Sequence, residues 1–71
     1  MKLYESRLKE YRIKANLTQD ELAELVGARR ETIGRLEHAR YNPSLKLAID
    51  ISRAVGAAVE DIFIFKYQNN Q

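Results

Sequence analysis

Four arginines, Arg29, Arg30, Arg35 and Arg40, fall within twelve residues of a 71-residue chain. A guanidinium fork suits paired oxygen acceptors, such as those of a phosphate or the edge of a guanine. Only two of the ten acidic residues, Glu31 and Glu37, share that stretch, so the modest formal net charge of +2 is concentrated there. A solvated charged face has the same composition, so charge alone does not separate the two readings. Other chemistries have less to stand on. The chain has no cysteine, which excludes disulfides and thiolate metal sites, and His38 alone cannot build a zinc site. His38 has no evident acid or nucleophile beside it, and Ser6, Ser44 and Ser52 are expected at caps or on helix faces, so nucleophilic catalysis has no constellation. No enzyme activity, metal or cofactor is expected, and His38 is given no role.

These residues must be positioned by one small domain, expected over residues 1–67 with a frayed tail at 68–71. Charge enters at once after Met1, and no apolar run approaches the roughly 18 residues a membrane span needs, so a cytoplasmic, nucleoid-associated protein is expected. Leu8, Tyr11 and Ala15 recur at helical spacing and predict a first helix over about residues 4–14, stopped near Asn16. Thr18 with Glu21 three residues on makes a capping box that starts a second helix. Leu22, Ala23, Leu25 and Val26 fill its inner face, and Gly27 ends it. A third helix follows over about residues 29–38 with Ile33 and Leu36 inward. Ser44 caps a fourth, whose Leu45, Ala48, Ile51, Ser52 and Val55 share one face before Gly56. A further turn at residues 59–62 precedes an aromatic strand, Phe63, Ile64, Phe65, Lys66 and Tyr67. The fold class is all-α: a compact bundle of four to five helices with a short C-terminal β-strand.

A lone strand needs a partner for its backbone groups. A second copy paired about a two-fold axis supplies one, which makes Phe63, Ile64, Phe65 and Tyr67 a candidate homodimer interface. The alternative is that Phe63 and Phe65 fold back on their own core. Arg12 lies four residues after Leu8, and Glu37 four after Ile33, so opposite charges point inward from two helices and pair. If both ends instead reach solvent, the pair contributes ~0–1 kcal/mol.

Two short helices joined through a glycine turn make a helix-turn-helix, which occurs in DNA recognition and in ordinary packing. With Ile33 and Leu36 inward, helical geometry puts Glu31, Arg35 and His38 outward and Arg30 and Thr32 on the flanks. The set Leu17-Thr18-Gln19-Asp20-Glu21-Leu22-Ala23, Gly27, Thr32-Ile33, Leu36-Glu37 and Tyr41-Asn42-Pro43-Ser44 resembles the phage-repressor and Cro-type helix-turn-helix family over about residues 7–63. The resemblance implies a lambda-repressor-like fold and a homodimeric transcriptional regulator. Its third helix would enter the major groove of double-stranded DNA at a near-palindromic operator.

By position, the resemblance assigns Gln19 to the DNA backbone, Arg30, Glu31, Thr32 and Arg35 to base edges, and Arg29, Arg40 and Asn42 to phosphates. Glu31 could instead pair with Arg35. Arg12 and Glu37 match a partly buried structural bridge. Two positions depart from the family pattern: Arg29 replaces a capping serine or threonine, and Ala39 replaces a left-handed glycine, implying ~1 kcal/mol of strain or a longer helix with a different exit. An antitoxin-like or bridging module that binds another protein through the same fold is the alternative function.

Overall fold

The computed structural model describes residues 2–66, in the order β1 (Glu5–Ser6), α1 (Leu8–Lys14), α2 (Gln19–Val26), α3 (Arg30–Glu37), α4 (Leu45–Val55), α5 (Val59–Ile62) and β2 (Phe63–Ile64). Local chemistry sets the boundaries of α2. The Thr18 hydroxyl accepts from the Glu21 N–H at 3.0 Å while the Glu21 carboxylate accepts from the Thr18 N–H at 2.8 Å. Gly27 then turns left-handed, with φ 69°. Three residues later α3 begins without a side-chain cap, because Arg29 at the cap position has no acceptor to offer. Ser44 caps α4 through the Leu47 N–H, at 3.1 Å, and Gly56 closes it with φ 71°.

Each helix contributes one inward stripe. Leu8 of α1, Leu22 of α2, Ile33 and Leu36 of α3, Ile51 of α4 and Ile62 of α5 are fully inaccessible and meet in one core. Leu45 differs from its expected place: as the first residue of α4 it is 77% exposed, and Ala48, Ile51 and Val55 carry that helix's packing. Leu25 likewise lies outside the core, at 63% exposed. Ala39 adopts φ 57° and is buried, so α3 ends in a left-handed alanine rather than running on. The exit is held by the Arg40 N–H donating to the Arg35 carbonyl at 2.9 Å and by the Leu3 N–H donating to the Ala39 carbonyl at 2.8 Å.

The chain's two ends correct the sequence reading. Residues 4–7 do not extend α1. They include β1, which pairs antiparallel with β2 in the register Glu5↔Ile64 and Ser6↔Phe63. The strand partner expected from a second copy is thus supplied by the same chain. Tyr4 anchors the arrangement: its ring meets Phe63 edge-on at 5.4 Å, and its hydroxyl donates to the Tyr41 carbonyl at 2.8 Å. Burial pushes the Tyr4 phenol up to about 12, because the anion would lose its hydration. Phe63 is therefore a core residue of its own chain, 3% exposed, as in the alternative in which it folds back on the core. Ile64 is half-buried, Phe65 is 40% exposed with its ring tilted 5.1 Å from that of Tyr4, and Tyr67 lies outside the described residues. Among the described residues, no helix is long and apolar enough to cross a membrane.

Candidate nucleic-acid interface

Ile33, Leu36 and the Glu37 side chain face inward, which leaves the other side of α3 on the surface. Arg30, Glu31, Arg35 and His38 are exposed, and Thr32 and Gly34 are half-buried between the two faces. Three shallow clefts surround the helix. Arg29 and Thr32 line one with Tyr41, Ser44 and Lys46 from the start of α4. Glu31, Arg35 and Arg40 line a second with His38, and Arg30 lines a third with Gln19 and Asp20 from the start of α2. Asn42 is exposed on the connection to α4 and lines none of the three.

The charges of α3 are mixed with respect to its own dipole: Glu31 in the first turn and Arg35 in the last suit it, while its leading cations do not. Its amino end, where unpaired N–H groups carry partial positive charge, begins with Arg29 and Arg30, and a cation there is disfavoured by ~0.3–1 kcal/mol. Several cations elsewhere are held. Arg7 makes two bonds to Glu10, at 3.1 and 3.2 Å, which keep that carboxyl below the usual carboxylate range, and Lys46 meets Asp50 at 2.7 Å. Among the described residues the guanidinium groups of Arg29, Arg35 and Arg40 have no hydrogen-bond or ion-pair partner, and Glu31 and Arg35 form no ion pair. Arg30 faces Asp20 at 3.8 Å. The His38 Nδ1 lies 2.9 Å from the Gly34 carbonyl, at the end of α3.

Beneath this surface lies a buried polar cluster. Arg12 of α1 donates through Nε to Glu37 at 2.5 Å and through Nη1 to the Leu17 carbonyl at 2.9 Å, and the two side chains are 11% and 4% exposed. Gln19 joins them, its Nε2 donating to Glu37 Oε1 at 3.0 Å. Gln19, expected at the DNA backbone, has its amide anchored to Glu37 of α3, with the side chain half-buried. Glu37 thus ties α1, α2 and α3 together, which fixes how far α3 stands out from the other two. Sequence reasoning met Asp20 and Tyr41 only as part of the family motif, gave neither a place at the site, and passed over Lys46. The signal available for Lys46 and Asp20 was their place in the first turn of a capped helix.

Residues 8–62 match the helix-turn-helix family, and the chain belongs to it, in the branch of Cro- and repressor-type regulators. An HTH-type transcriptional regulator of Archaeoglobus fulgidus is 62% identical over 60 residues, 84% of each chain. The restriction-modification controller protein C.AhdI of Aeromonas hydrophila is 31% identical and superposes with a TM-score of 0.69 over 78% of this chain and 83% of its own. The clp gene regulator ClgR of Corynebacterium glutamicum is also 31% identical, with a TM-score of 0.69 over 76% of this chain and 57% of its own. This is a family of transcriptional regulators that bind DNA, not of enzymes.

Proposed function

We propose that the protein is a homodimeric, sequence-specific regulator whose α3 enters the major groove of a near-palindromic duplex while α2 lies across the backbone. The observation that carries this reading is the set of exposed guanidinium groups on Arg29, Arg35 and Arg40, which have no acceptor among the described residues. Phosphates and guanine edges supply such acceptors, and Arg29, the one of the three at the unfavourable amino end of α3, is intelligible if an anion arrives there. Arg30, Glu31, Thr32 and Arg35 would meet base edges: arginine a guanine, carboxylate a cytosine amino group, the threonine methyl a thymine. Arg29, Arg40 and Asn42 would hold phosphates, and Gln19, though anchored to Glu37, keeps its carbonyl oxygen and second amide hydrogen for the duplex.

The two-fold partner would meet the chain near Ile64 and Phe65, while the side chain of Phe63 packs in its own core. Residues 1–67 would act as one DNA-binding unit in the cytoplasm, at the nucleoid. Selecting bound fragments from random duplex DNA tests the reading. An enriched inverted repeat with half-site centres about 34–36 Å apart is expected. Arg35→Ala should relax preference at one base pair by ~1–3 kcal/mol, whereas Arg40→Ala should weaken all sequences alike. No enriched sequence, or equal losses across all sequences for both variants, would refute it.

A further inference from the structure

We propose that Asp20 is a positioning residue for base readout by Arg30, an inference that rests on the DNA-binding reading above. The two residues occupy the first turns of successive helices, Asp20 second in α2 and Arg30 first in α3, and Asp20 Oδ1 lies 3.8 Å from Arg30 Nε. The contact is to the inner nitrogen of the guanidinium. The two Nη groups, which form the fork that engages guanine O6 and N7, are left without a partner among the described residues. Both side chains are exposed, at 63% and 78%, so the contact contributes little to folding. Its consequence is orientation.

Two features make Asp20 the group that can supply it. Arg30 stands at the positive end of a helix whose cap residue, Arg29, has no side-chain acceptor, so the dipole of α3 disfavours the Arg30 charge, and Glu31 in the same turn forms no ion pair with it among the described residues. Asp20 stands at the positive end of α2, where a carboxylate is favoured, and the adjoining capping box already uses Thr18 and Glu21, leaving the Asp20 carboxylate to face Arg30. Gln19, the neighbouring polar side chain, is occupied by Glu37 at 3.0 Å, and no bond joins it to Arg30 among the described residues. A carboxylate beside a duplex repels phosphates. Keeping one at this position weakens binding to every sequence, and its return is a guanidinium biased toward one orientation, which reads one base pair better.

The test is a double-mutant cycle on duplexes carrying each single base-pair change of the selected site, with Asp20→Asn, Arg30→Ala and the double variant, and Asp20→Glu as the conservative control. Asp20→Asn should bind an unrelated duplex as tightly as the parent or more tightly, yet lose about two- to fivefold of its discrimination at the base pair that Arg30→Ala relaxes, and at no other. That loss should vanish in the Arg30→Ala background, and Asp20→Glu should restore it at least in part. A change of equal size on all duplexes with discrimination unaltered, or the same loss of discrimination without Arg30, would overturn the assignment to Asp20 while leaving DNA binding intact. If the parent protein selects no duplex, or Arg30→Ala relaxes no base pair, both the positioning role and the readout it serves are refuted.

Discussion

Arg12→Ala should be among the most damaging single substitutions in this protein. It removes both nitrogens that reach Glu37, at 2.5 and 3.4 Å, and leaves a carboxylate with 4% exposure facing only the Gln19 amide at 3.0 Å. The Leu17 carbonyl loses its 2.9 Å donor as well. Stranding one member of a buried pair costs ~3–5 kcal/mol, against roughly 4–11 kcal/mol of total stability for a domain of this length. With a urea dependence of ~1 kcal/mol/M, the midpoint should fall by about 3 M or more, or the variant should be largely unfolded in buffer. Arg12→Met combined with Glu37→Leu removes both charges and should recover all but ~2 kcal/mol, the remainder reflecting Leu17 and Gln19 left without their partners. Circular dichroism during urea titration reads both variants. A loss below ~1 kcal/mol for Arg12→Ala would mean that the pair behaves as a solvent-exposed one, and a double variant as unstable as the single would refute the stranded charge as the cause.

Thr18→Ala should cost ~1 kcal/mol by opening the capping box of α2, and an unchanged thermal midpoint would contradict that. Gly27→Ala should cost ~1–2 kcal/mol, measured the same way. A Cβ there meets nothing within 4 Å, so the whole loss comes from the left-handed backbone at φ 69°. Tyr4 gives a pH signature. Its phenol titrates near 12 in the folded chain and near 10 unfolded, so its contribution is fully present below pH 10 and is lost as pH rises toward 12. Tyr4→Phe should therefore lose less stability than the parent between pH 9 and 11.5, and equal alkaline losses would show that Tyr4 is not the group responsible.

What the sequence revealed was what neighbouring residues decide among themselves. The Thr18–Glu21 capping box, the Ser44 cap and the left-handed stops at Gly27 and Gly56 each involve groups within four residues, and the structure places them as the spacing predicts. The helix-turn-helix followed from them, and the inward pairing of Arg12 with Glu37 followed from helical phase. β1 was not legible because two residues of strand have no pattern of their own. Glu5 and Ser6 are extended because Tyr4 packs on Phe63 across the molecule. Leu45 misled for the opposite reason, since it falls in phase with α4's core stripe yet sits at the helix start, beyond the reach of the other helices. The Gln19–Glu37 bond and the Asp20–Arg30 contact depend on the angle at which α2 meets α3, which no local signal encodes.

The central claim, that the arginine-rich face of α3 is a polyanion-binding surface, is tested most directly by duplex affinity as a function of salt. If each subunit of a dimer neutralises about four phosphates, log affinity should fall against log salt with a slope of about −7. A slope near zero would contradict the claim and point to a protein partner instead.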